Sequence, residues 1–228
     1  MQEVTPTMTD HRPLLPGQLV SGFSGFLAFL AISLTPFPAP AASAEIESAA
    51  RDFVIDMSDA AINTLAAPNI DRDERIDRFR ILFKDRFAVP VMGRWVLGRH
   101  WRKATPQERE EYLVLFEDLM VASYVDRFAR YTGESLTITK SVSDGKRGVT
   151  VFSEINRRQG GKAVRVDWRI ASRGDLIKVV DVVIEGTSLS TTLRSDFASI
   201  IRREGGTVHG LIEILRAKMA GLRQSAQN

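Results

Sequence analysis

Asp181 and Glu185 stand four residues apart in a segment that reads as a strand, so both side chains can face one side, as an acid and base would. Four strand residues separate them by roughly 13 Å, beyond the carboxylate spacing of either usual glycosidase geometry. The pair is therefore read as structural, with Asp181 hydrogen-bonded to a neighbouring backbone group or arginine. His100 and His209 are the only histidines after residue 44. They lie in different segments, and neither is expected to find a histidine or carboxylate at the i+4 spacing of a helical metal site. His100, between Arg99 and Trp101, reads as a partly exposed surface residue. The chain has no cysteine, which excludes disulfides, thiolate catalysis and Cys-ligated metal. Nucleophile-elbow, phosphate-loop and dinucleotide signatures are also absent from the sequence. The expectation is a protein with no catalytic residue, no metal and no cofactor.

A second group of residues carries charge rather than reactivity. Arg94, Arg99, Arg102 and Lys103 are interleaved with Trp95 and Trp101. Such a run can face nucleic acid or lipid headgroups, or form a solvated surface. The N-terminus argues against nucleic acid. Arg12 precedes an apolar run from Phe23 to Leu34, then small residues and prolines, ending in Ala42-Ser43-Ala44 before Glu45. That order is the pattern of a secretory signal peptide, and the run is too short to span a bilayer comfortably. Residues 1–44 are expected to be removed on export to the periplasm. The remaining 184 residues carry 30 basic and 26 acidic side chains, a net +4 that suits an anionic membrane surface.

The elements that must position these residues run helices, strands, helices. Ile46, Ala50, Phe53, Val54, Met57 and Ala61 recur at helical spacing from Glu45 to about Ala66. Asp71, with Glu74 three residues on, predicts a box-like start to a second helix. Phe87–Trp101 is rich in apolar and aromatic residues and reads as a short helix. Thr105-Pro106-Gln107-Glu108 is a capping box with proline at the first helical position. Its helix runs to about Tyr131, with Tyr112, Phe116, Leu119, Met120, Tyr124 and Phe128 in one stripe. After Gly133 the period becomes two. Strands are predicted over 136–142, 148–155, 164–170 and 176–184, joined by glycine turns. Helices over about 188–203 and 207–222 close the chain. The prediction is one α+β domain over 45–228, a four-stranded antiparallel meander packed against N-terminal and C-terminal helices.

Two motifs carry a resemblance. Asp181-Val182-Val183-Ile184-Glu185-Gly186-Thr187-Ser188-Leu189, followed by Leu193-Arg194-Ser195-Asp196-Phe197, resembles the C-terminal signature of the MlaC/Ttg2D family. Val96-Leu97-Gly98-Arg99-His100-Trp101-Arg102, with Ala104-Thr105, is similar to that family's L-G-x-x-W-R-x-A-T segment. The resemblance covers about residues 46 to 222. It implies a hydrophobic pocket between sheet and helices that holds the acyl chains of a phospholipid, with the headgroup near its mouth. It also implies partners, an inner-membrane MCE-protein/ABC-transporter complex and an outer-membrane lipoprotein complex. By position, the expected pocket residues are Phe87, Val91, Met92, Trp95, Phe116, Leu119, Met120, Tyr124, Val151, Val166, Trp168 and Val182. Asp181, Glu185, Gly186 and Arg194 are expected to fix the strand-to-helix turn. A hopanoid carrier of the same family, a periplasmic adaptor with a filled core, and an enzyme in a similar cavity stand as alternatives.

Overall fold

The computed structural model describes residues 39–67, 69–145, 148–158, 160–174 and 176–225. Most of the expected signal peptide, residues 1–38, lies outside them. Helix α1 spans Ala39–Leu65, starting ahead of the predicted Glu45. Its buried Ala50, Val54 and Met57, spaced four and three apart, form the stripe that faces the sheet. Helix α2, Arg72–Arg86, starts at Asp71, whose Oδ1 accepts the Glu74 N–H at 2.7 Å. The Glu74 carboxylate pairs with Arg78 one turn on at 2.5 Å, so the expected box is half formed.

Phe87–Trp101 divides into two pieces. Helix α3 is Val89–Leu97, and a 3₁₀ turn follows over Gly98–Arg102. Gly98 has φ +57° there, a value that ends α3 and that side chains disfavour. Helix α4, Pro106–Ala129, carries the complete capping box. Thr105 Oγ1 accepts from the Glu108 N–H at 3.2 Å, and Glu108 Oε2 accepts from the Thr105 N–H at 2.8 Å.

Strands β1 (Ser135–Ser143), β2 (Gly148–Asn156), β3 (Val164–Arg173) and β4 (Leu176–Ile184) form the predicted meander. The expected count of four is corrected by a short fifth strand, β5, Thr187–Ser188. Glu185 and Gly186 both take positive φ, 49° and 82°, the requirement of a two-residue hairpin turn of the primed type. Ser188 thereby pairs with Val183, and the sheet order is β1-β2-β3-β4-β5, antiparallel throughout. Helices α5 (Leu189–Arg203) and α6 (Val208–Ser225) complete the described chain.

The apolar interior is in two layers. One is helical: Phe79 and Phe83 of α2, Met92 and Val96 of α3, Tyr112, Phe116 and Leu119 of α4, and Phe197 and Leu211 of α5 and α6. The other lies between α1 and one face of the sheet. Phe87 packs against both, held by the Ala88 N–H, which donates to Val179 O of β4 at 2.9 Å.

Candidate functional site

The α1-facing side of the sheet is built by strand alternation. The register sets Val149 opposite Ile170, and Val151 opposite Trp168, which is opposite Val182. Directly opposed residues share a face, so these side chains form one apolar floor beneath Ala50, Val54 and Met57. A groove of about 370 Å³ opens at one end of this layer, between Ile46, Ala49 and Ala50 of α1 and Val149, Ile170 and Ile177 of the sheet. Glu45 and Ser172 supply part of its polar lining.

Two hydroxyls interrupt the apolar floor. Ser153 is buried, donates to Val166 O at 2.7 Å and accepts from Trp168 Nε1 at 3.0 Å, so the indole N–H is satisfied. Ser141, opposite Val151, has a buried Oγ with no hydrogen-bond partner. An arrangement of branched aliphatic side chains, one indole and two hydroxyls can hold an apolar ligand. It offers no acid–base pair.

The expected pocket residues fall into three groups. Val151, Val166 and Val182, with Trp168 packed against them, lie in the α1–sheet layer, and Phe87 borders it. Met92, Phe116, Leu119 and Met120 are buried in the helical layer, with Tyr124 packed against it. Val91 and Trp95 are 59% and 45% exposed on the outside of α3. The groove residues Ile46, Ala49, Ala50, Val149, Ile170 and Ile177 were not among those expected. Their signal was present, as the helical stripe of α1 and the alternation of β2 and β3, but periodicity does not say which stripe meets which face.

The remaining polar candidates take structural positions. Asp181 is buried on the opposite face of the sheet. Its carboxylate accepts from Ser188 Oγ at 2.6 Å, from the Ser190 N–H at 3.0 Å and from Arg169 Nη1 at 3.1 Å. It thus sits at the N-terminus of α5, where the helix dipole favours an anion. Glu185 Oε1 accepts the Arg165 N–H at 2.6 Å, and this bond, with Lys162 and Arg165 nearby, holds its carboxyl below the usual range. Arg194 reaches a different place from the expected strand-to-helix turn. Its Nη1 donates to Trp95 O at 3.2 Å and its guanidinium lies 4.8 Å from the Trp95 ring centre, joining α5 to α3.

His100 corrects its expectation of partial exposure. It is only 7% exposed, and Arg99 Nε contacts its Nε2 at 3.5 Å, while Nδ1 has no partner. Burial, then Arg99, Lys103 and Arg202, lower its pKa from 6.5. His209 does have a carboxylate at i+4, since Glu213 lies 3.8 Å from it on exposed helix surface. Among the described residues no group of three His, Asp or Glu side chains gathers to hold a metal ion.

Residues 56–217 match the family model described as MlaC protein. The chain belongs to the MlaC protein family. This MlaC-family chain is 22% identical over 130 residues to the toluene tolerance protein ttg2D of Pseudomonas putida. That stretch is 57% of this chain and 60% of the relative, so the chain spans less than two thirds of the relative's length. Its fold is similar to the solved structure of a phospholipid-binding protein from Ralstonia solanacearum in complex with a phospholipid. The TM-score is 0.68 at 24% identity, covering 76% of this chain and 98% of that one.

Proposed function

We propose that this protein is a periplasmic lipid carrier that holds phospholipid acyl chains between α1 and the apolar face of the sheet. It moves lipid between the outer and inner membranes as the soluble component of an ABC-type transport system. The observation that carries the reading is the groove at the α1–sheet seam, continuous with a layer of branched aliphatic side chains. The phospholipid held by the Ralstonia solanacearum protein of similar fold supports the choice of cargo.

Two acyl chains carry on the order of thirty methylenes, and exposing each to water costs about 0.8 kcal/mol, so unaided passage would cost about 24 kcal/mol. Passage from bilayer to an apolar seam exchanges one dry environment for another and is close to thermoneutral. Direction then comes from the membrane partners, an MCE-protein/ABC-transporter complex at the inner membrane and a lipoprotein complex at the outer one. A groove of about 370 Å³ is at the lower end of the range for drug-sized ligands, and a diacyl lipid is larger. Loading therefore requires α1 to lift from the sheet. Signal-peptide cleavage before Glu45 would leave the mature N-terminus at the groove.

Native mass spectrometry of protein purified without detergent, paired with uptake of labelled phospholipid from vesicles, tests the reading. A co-purifying diacyl lipid and measurable uptake are expected. Absence of both would overturn it in favour of an adaptor with a filled core, and a co-purifying hopanoid would change the cargo.

A further inference from the structure

The basic–aromatic run from Arg94 to Lys103 has no part in the proposed cargo site, and the fold assembles it into a surface. Val91 and Trp95 are one turn apart on the outside of α3, and both are exposed. Arg194 of α5 lies over the Trp95 ring. Arg99 on the 3₁₀ turn, Lys103 at its C-cap and Arg202 on α5 each act electrostatically on the buried His100, so all three lie in its neighbourhood. All four cations are exposed.

Among the described residues, the cations of this surface differ from several others in their pairing. Elsewhere, Arg72, Arg80, Arg165, Arg169 and Arg216 are paired with described carboxylates. Among the described residues, Arg99, Lys103, Arg194 and Arg202 have no such ion pair. The His100 ring adds no charge while neutral, and its Nε2 receives Arg99 at 3.5 Å.

We propose that this α3–α5 face docks on anionic bilayer surfaces, with Trp95 and Val91 as apolar anchors and Arg99, Lys103, Arg194 and Arg202 as the cations. The combination decides the occupant. Unpaired cations call for an anionic partner, and an exposed indole beside them is the residue type enriched at the level of lipid headgroups. Arg194 over the indole keeps cation and anchor within a few ångströms, as headgroup phosphate above acyl chain requires. The inference rests on the lipid-carrier reading, because it places the carrier at the membrane where cargo is exchanged.

The test is flotation of the purified protein with vesicles of phosphatidylcholine alone and of phosphatidylcholine with phosphatidylglycerol. Binding is expected only to the anionic vesicles and should weaken as salt is raised. Each cation near the surface contributes about fivefold in affinity, so R99Q/K103Q/R202Q should bind on the order of a hundredfold more weakly. Its lipid content by native mass spectrometry should match that of the unaltered protein. No binding to anionic vesicles would overturn the proposal, including the case in which the protein binds only an acidic protein surface. So would salt-independent binding by the unaltered protein, which is read without any variant. Loss of carried lipid in the unaltered protein would instead overturn the carrier reading, so the two failures are distinguishable.

Discussion

Glu47 of α1 accepts a hydrogen bond from the backbone N–H of Ser143 on edge strand β1, Oε1 to N 2.9 Å. The bond ties α1, two turns from its start, to the outermost strand, beside the groove lined by Ile46 and Ala49. If cargo enters by separating α1 from the sheet, this tie must break. With no native cysteine, a cysteine pair at Glu47→Cys and Ser143→Cys is free of competing thiols. Closed by a short bismaleimide or a disulfide, it should abolish uptake of labelled phospholipid from vesicles. Reduction of the disulfide form should restore uptake. Equal uptake by the closed and open forms would mean that the lipid takes another route.

The Asp181 carboxylate ties β4, β3 and α5 together through Ser188, Ser190 and Arg169. Its removal leaves the buried Ser190 N–H without an acceptor, which costs about 1–3 kcal/mol, while the half-exposed Arg169 contributes little. Asp181→Ala should therefore lower stability by about 2 kcal/mol, read from denaturant midpoints at unchanged slope. A change below about 0.5 kcal/mol would show that water replaces the carboxylate.

Much of the fold was legible because its signals are local. Thr105 and Glu108 are three residues apart, and the same three residues close both bonds of the capping box. Strand alternation in Val166-Asp167-Trp168 is likewise written in neighbouring side chains. The fifth strand was not legible, because Glu185 must take a positive φ that its side chain disfavours, held there by Arg165 twenty residues earlier. His100 reads as exposed because its sequence neighbours are cationic, yet it is buried, and Arg202 of α5, a hundred residues on, lies close enough to act on its charge. In the candidate site, the grouping of the sheet residues was legible, since Val151, Val166, Trp168 and Val182 alternate onto one face. That of the helical residues was not. The apolar stripes of α1 and α4 have the same period, and only tertiary packing sends α1 to the sheet and Phe116 and Met120 to the other layer.

Burial and three nearby cations depress the His100 pKa in the folded state below 6.5, whereas the unfolded chain titrates near 6.5. Between those values the unfolded state binds the extra proton, so stability present above pH 6.5 is lost as pH falls through the folded pKa. The thermal unfolding temperature should therefore fall as pH is lowered through and below 6.5, ahead of most carboxylate titration. His100→Gln should flatten that part of the profile. An unchanged profile would assign the dependence to other groups.

Gly98 and Arg194 show how the two sequence motifs meet. A Cβ on Gly98 would lie 2.8 Å from Arg194 Nη2, and φ there is +57°. The guanidinium can move, but the backbone strain stays, at about 1–3 kcal/mol for such a conformation. Gly98→Ala should destabilise by about 2 kcal/mol, and most of that should persist when Arg194→Ala is added. Full relief in the double variant would locate the cost in the side-chain clash.

Ala49 lines the groove yet is exposed on α1, so a larger side chain there can enter the opening without displacing buried neighbours. Ala49→Trp should leave stability within about 0.5 kcal/mol, apart from a small helix-propensity loss. The indole would occupy much of the roughly 370 Å³ at the seam, so lipid entry should be blocked even though the interior is unchanged. Uptake from labelled vesicles should fall at least about tenfold, corresponding to about 1.4 kcal/mol of steric cost. Leu176→Trp, at an exposed position on β4 that does not line the groove, serves as the control and should load normally. Equal loading by both variants would place the entry elsewhere on the protein, most directly at the helical layer that holds Met92 and Phe116.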